Sequence, residues 1–132
     1  MGLDTPTATT SKAMRWAGYA ASALPALMLL FSGVMKLLKP DPIVESFVKL
    51  GYLDDGVIVP IGVTELLCTA LYLVPRTSVL GAILLTGYLG GATATHVRVG
   101  EGFAGPVVFG VLVWLGLYLR DSRLRALVPL RS

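Results

Sequence analysis

Charge is scarce in this chain. Asp, Glu, Lys and Arg make up 14% of its 132 residues, against about a quarter in an ordinary soluble domain, and long stretches carry almost none. Cysteine is scarcer still. The single Cys68 cannot form an internal disulfide, and with no Cys-x-x-Cys pair a dithiol exchange mechanism is excluded. In an apolar segment such a residue reads as small packing material. Basic runs interleaved with aromatics are missing, so the net charge of +3 is not the footprint of a nucleic-acid surface. One histidine, His96, offers at most one axial haem ligand, and no c-type attachment motif accompanies it. Neither a metal site nor a resident cofactor is assigned.

What the chain has in abundance is apolar sequence: 55% hydrophobic residues and a mean hydropathy of +0.75. This composition is that of an integral membrane protein, and the length suits a single domain over residues 1–132. Residues 1–13 read as a disordered polar tail and 120–132 as a basic one. The first apolar run, about Met14 to Leu38, exceeds the roughly 7–15 residues of a signal-peptide core and meets the roughly 20 needed to cross a bilayer. Pro25 in its middle should kink it, by removing a donor and crowding the carbonyl of Ala21. Further spans are expected at about Val57–Val74, Ser78–Val97 and Phe103–Leu119. Between the first two, Asp41 should cap a short helix with Pro42 at its first position. Ile43, Val44, Phe47 and Leu50 share one face of that helix, while Glu45, Ser46 and Lys49 share the other. It should therefore lie flat on the membrane surface, with Gly51 ending it. The fold class predicted is all-α: an antiparallel bundle of four transmembrane helices plus one interfacial helix.

With four spans, both termini and the second loop share a side that holds Lys12, Arg15, Arg76, Arg120, Arg123, Arg125 and Arg131. The other side holds Lys36, Lys39, Lys49 and Arg98. The positive-inside rule then places both termini in the cytoplasm, in what reads as a bacterial cytoplasmic membrane.

Three ionisable residues fall within or near the spans, and the antiparallel arrangement brings Lys36, Glu65 and His96 to the same, outer half of the bundle. A carboxylate inside a span costs about 2.5–3.5 kcal/mol on insertion scales, so Glu65 should face the interior, paired or protonated. As a site residue it is a general acid or base with His96 as partner and Lys36 as electrostatic stabiliser. As a structural residue it clips two helices together through Lys36 or His96. Snorkelling is the plain alternative for Lys36, and interfacial anchoring is the alternative for His96 and Arg98. Tyr88, Thr95, Arg98 and Tyr72 complete the candidate ligand-binding set. On the third span, Gly87, Gly91 and Ala94 should supply close helix packing, while Thr86, Thr93 and Thr95 can satisfy their hydroxyls on their own backbone.

The segments Phe31-Ser32-Gly33-Val34-Met35-Lys36-Leu37, Phe47-Val48-Lys49-Leu50-Gly51-Tyr52 and Ile61-Gly62-Val63-Thr64-Glu65-Leu66 resemble those of the DoxX-like family of small four-helix membrane proteins. So do Leu73-Val74-Pro75-Arg76-Thr77, the run from Gly81 to His96, and Tyr118-Leu119-Arg120-Asp121 with Arg123-Leu124-Arg125. The resemblance spans about Leu27 to Pro129, and Lys36, Glu65 and His96 match the family's polar positions. It implies the four-helix fold and, from members resembling quinone-reactive subunits of thiosulfate or terminal oxidases, a quinone-facing redox role. Three functional expectations follow. One is an intramembrane protein binding a small lipophilic molecule, with Glu65/His96 acid–base chemistry such as isomerisation, epoxide opening or cyclisation. A second is a quinone-interacting redox subunit, and a third is a non-catalytic scaffold. The partners implied are the lipid bilayer, a lipophilic ligand or quinone, and a second copy of the chain; nucleic acid is not among them.

Overall fold

A computed structural model describes residues 11–52 and 54–128. The tail expected over residues 1–13 lies almost wholly outside them, as does the end of the basic tail. Every regular element described is helical. Helix α1 spans Lys12–Leu38, α2 Asp41–Lys49, α3 Ile58–Leu73, α4 Ser78–Arg98, α5 Ala104–Arg120 and α6 Ser122–Arg125, with short 3-10 turns at Asp55–Val57 and Pro75–Thr77.

The boundaries have local causes. Ser11 caps α1, its hydroxyl accepting from the Met14 amide at 3.1 Å. The helix ends at Lys39, the residue before Pro40, where the α conformation is disfavoured; Lys39 turns left-handed with φ 50°. Helix α2 begins one residue earlier than the sequence suggests. Pro40 is its N-cap, and Asp41 and Pro42 form its first turn. A first turn needs no amide donor, so both prolines fit, and the Asp41 carboxylate sits where the helix dipole favours it. Gly51 follows with φ 94°, a conformation glycine adopts at no steric cost.

Helix α1 packs against α3 and α5, and α4 closes the ring against the same two. Each neighbouring pair is antiparallel. Lys36, late in α1, meets Glu65 in the middle of α3, while Ser22, earlier in α1, meets Tyr72 near the end of α3. Trp114 of α5 donates to Thr86 of α4 at 2.7 Å. Helix α6 folds back so that Arg125 donates to the carbonyls of Tyr118 and Leu119, which end α5.

Glycines let the backbones touch, Gly33 of α1 against α3 among them as its sequence position suggests, though not the Gly87 and Gly91 expected on α4. A Cβ on Gly116 would lie 2.9 Å from the Ser22 amide nitrogen and 3.0 Å from the Gly18 carbonyl. One on Gly62 would lie 2.8 Å from Lys36 Cβ, and one on Gly81 would collide with the backbone of Tyr72. Gly87 and Gly91 have nothing within 4 Å of such an atom, and Ala94 is exposed. The far half of α4 borders open space instead of a neighbouring backbone, so its small residues make no tight contact.

The apolar core comprises Leu29, Cys68, Tyr72, Ala82, Leu85, Leu89, Val113 and Leu117. Polarity is nevertheless inverted relative to a soluble fold. Glu65, Thr69, Ser22 and Ser78 are buried, while Trp16, Leu27, Phe31, Leu67 and Val111 are each at least 60% exposed. Two segments, Lys12–Leu38 and Pro75–Arg98, are long and apolar enough to cross a membrane, whereas Ile58–Leu73 and Ala104–Arg120 are apolar but shorter.

Candidate functional site

Ser32 and Lys36 stand four residues apart and so share a face of α1, which looks across at Glu65 on α3. The Lys36 ammonium lies 2.8 Å from Glu65 Oε2 and 3.4 Å from Oε1. Ser32 Oγ accepts from Lys36 and donates to Glu65 Oε2 at 3.2 Å. Tyr88 of α4 donates its phenol to the same Oε2 at 3.1 Å. One carboxylate thus ties together three helices. It is 1% exposed, and the Lys36 side chain 14%. A buried charge is tolerated when paired and hydrogen-bonded, and Glu65 is both.

Above this cluster opens a cavity of about 440 Å³, within the usual range for small-molecule sites. Its polar wall is Ser32, Lys36 and Tyr88, continued along α4 by Gly91, Ala92, Thr95 and His96. Ile61 of α3, Ile43 and Phe47 of α2 and Leu50 just after it give a largely apolar wall that also holds Ser46, with Tyr52 beyond. Helix α2 therefore turns its apolar face toward the bundle. Phe47 is 6% exposed and packs against Tyr52 with the rings tilted and their centroids 5.5 Å apart. The amphipathic helix expected here is present, and its apolar face has a protein surface to cover as well as any membrane surface it lies on.

The sequence-derived site residues divide between this cavity and other places. Lys36, Tyr88, Thr95 and His96 line it. Glu65 does not; it stands behind Lys36, Ser32 and Tyr88 and holds them. His96 makes no contact with Glu65. It lies two turns past Tyr88, about 12 Å along the helix, and its Nδ1 sits 2.7 Å from the Ala92 carbonyl. A carbonyl only accepts, so Nδ1 carries the proton and Nε2 is the ring's acceptor. Arg98 lies outside the cavity, donating to the Leu50 carbonyl at 3.2 Å and so tying the end of α2 to α4. Tyr72 is at the opposite end of the bundle, its hydroxyl 2.7 Å from the Val113 carbonyl and 2.8 Å from Ser22 Oγ. The threonines behave as expected: Thr86, Thr93 and Thr95 each donate to the carbonyl four residues back.

Ser32 and the α2 residues Ile43, Ser46 and Phe47 were not among the candidates. Ser32 had a signal, one turn before Lys36 on the same face. The α2 side chains had only their amphipathic pattern, which does not distinguish a bilayer from a cavity as the surface covered. Among the described residues no group of three His, Cys, Asp or Glu could hold a metal.

An all-helical bundle with buried polar groups, an apolar exterior and two long apolar helices defines a membrane protein. The chain belongs to the DoxX-like family, whose model matches residues 20–116. That match contains Lys36, Glu65, Tyr88 and His96 and stops before the Tyr118–Arg125 segment. No curated protein and no solved structure matches the chain.

Proposed function

We propose that this protein is a four-span membrane bundle that binds a small lipophilic molecule in the cavity between α1, α2 and α4. The observation that carries the reading is the cavity's two-sided chemistry. A fixed polar set, the Lys36 ammonium with a proton beyond those it gives Glu65 and Ser32, and the Ser32 and Tyr88 oxygens as acceptors, faces Ile43, Phe47, Leu50 and Ile61, which offer only apolar contact. Such a pocket suits a molecule with an apolar body and an oxygen-bearing head, the head directed to Lys36 and Tyr88.

Glu65 serves this site as a positioning residue, because three neighbours occupy its carboxylate and it has no cavity surface. Acid–base chemistry falls instead to the groups that line the wall. His96 Nε2 can take a proton at one end while Lys36 stabilises developing oxyanion charge at the other. A quinone and a non-redox carbonyl compound both present suitable oxygens.

The four-span reading is supported by the antiparallel ring, in which α3 and α5 run beside the two longer helices. At 16 and 17 residues they rise about 24–26 Å, slightly short of a hydrocarbon core of about 30 Å. The basic side chains grouped at the Arg120 end support cytoplasmic termini.

The test is mass spectrometry of the protein extracted directly into lipid nanodiscs. The expected result is a retained lipophilic molecule whose occupancy falls in Tyr88→Phe and His96→Ala, with helix content unchanged. Reduction of the retained molecule by dithionite with a quinol spectrum would mark it as a quinone. Failure of any molecule to be retained, or equal retention by both variants, contradicts the reading.

A further inference from the structure

The opposite end of the bundle carries a second cavity, of about 410 Å³, with different chemistry. Four guanidinium groups line it, from four separate segments: Arg15 near the start of α1, Arg76 in the turn before α4, Arg120 at the end of α5, and Arg123 in α6. The wall holds one carboxylate, Asp121, and Arg123 already occupies it at 3.2 Å. Among the described residues, Arg15, Arg76 and Arg120 have no acidic partner.

Arg120 is fixed in place. Its Nε donates to Ser22 Oγ at 3.3 Å, and its guanidinium carbon lies 5.3 Å from the Tyr19 ring centroid and 5.8 Å from that of Tyr72, distances typical of cation–π contacts. This leaves its terminal nitrogens available to the cavity. Next to the cavity, Trp16 and Tyr19 are 66% and 50% exposed and meet edge to face at 6.5 Å. Exposed Trp and Tyr at the end of apolar helices mark the headgroup level of a bilayer.

We propose that this cavity binds a phosphate group carried by an anionic lipid headgroup. Uncompensated guanidinium groups converging from several elements are suited to phosphate, whose oxygens they can engage in pairs. The aromatic collar places them where a lipid phosphate lies, beside apolar surface that its acyl chains can follow. The proposal is independent of the ligand reading at the Glu65 end.

The test uses the full chain in phosphatidylcholine nanodiscs doped with phosphatidylglycerol, with retained lipid counted by native mass spectrometry. The wild type is expected to retain phosphatidylglycerol in preference to phosphatidylcholine. The Arg15→Gln/Arg76→Gln double variant changes two exposed side chains that the fold does not use. It should lower that preference by on the order of 25-fold, from about fivefold per arginine near an anionic surface. The Lys12→Gln/Lys49→Gln variant removes the same charge away from the cavity and should leave the preference unchanged. Equal loss in both variants, or none in the arginine pair, overturns the site. Displacement of the lipid by millimolar inorganic phosphate, with the phosphate itself retained, overturns the lipid assignment in favour of a free phosphate compound.

Discussion

The two ends of this bundle bury polar groups in opposite ways. At the Tyr72 end, Ser22, Tyr72 and Arg120 lie where Gly18 and Gly116 bring α1 and α5 into backbone contact. The Ser22 and Tyr72 hydroxyls there are tied to close neighbours and the α1–α5 interface around them is filled, the arginine-lined cavity opening only beyond it. At the Glu65 end, the carboxylate gathers Ser32, Lys36 and Tyr88 on one side, while the other side of those groups fronts an open cavity under α2. The same device, a buried polar group shared among helices, locks the first end and presents polar groups to a cavity at the second. What separates them is whether the helices around the cluster meet or stand apart.

Substitutions should break this contrast in graded fashion. Glu65→Ala leaves the Lys36 ammonium buried and unpaired, with an expected loss of about 3–5 kcal/mol, read as a large drop in the midpoint of detergent-induced unfolding. Restoring apolar character on both sides, as in Lys36→Met/Glu65→Leu, should recover most of that stability while abolishing ligand retention. Gly116→Ala should cost about 1–3 kcal/mol, since the added carbon meets the Ser22 backbone. By contrast, Gly87→Ala and Gly90→Ala meet nothing within 4 Å and should leave the midpoint unchanged or raise it by up to about 1 kcal/mol. Equal damage by Gly90→Ala and Gly116→Ala would remove the distinction between the two ends.

The smallest effect is expected at the α5–α6 corner. Burial pushes the Asp121 carboxyl upward, yet hydrogen bonds and charge from Arg123 together outweigh it and hold the group below the usual carboxylate range. A lowered folded-state value means that this contribution is present above the unfolded value of about 4 and lost as pH falls through the folded one. Asp121→Asn should cost less than about 1 kcal/mol and flatten the acid limb of the unfolding midpoint.

The helices were largely legible in the sequence because apolar runs, prolines and glycines mark their ends. Observed and expected boundaries differ by only one or two residues at α1, α3, α4 and α5. Antiparallel order alone put Lys36 beside Glu65. The expected pairing of Glu65 with His96 does not form, since equal depth does not fix which α4 residue reaches the carboxylate, and Tyr88 reaches it first. Tyr72 and Tyr88 are alike by composition, yet helix rotation and level place them at opposite ends. The glycines of α4 also misled. Small residues permit close approach, but whether a neighbour takes up that space depends on the whole ring. The apolar face of α2 was visible, and its partner was not.

The central claim is that the open space at the Glu65 end is a binding cavity. Gly91 lines it, and a Cβ there meets no neighbouring atom within 4 Å, so the backbone leaves room for a side chain to start, and Gly91→Leu should occupy the cavity with helix content kept. Ligand retention by nanodisc mass spectrometry, compared between wild type and Gly91→Leu at equal helix content, tests this directly. The account predicts a lipophilic molecule bound to the wild type and lost from the filled variant. The same molecule retained by both, or by neither, would contradict it.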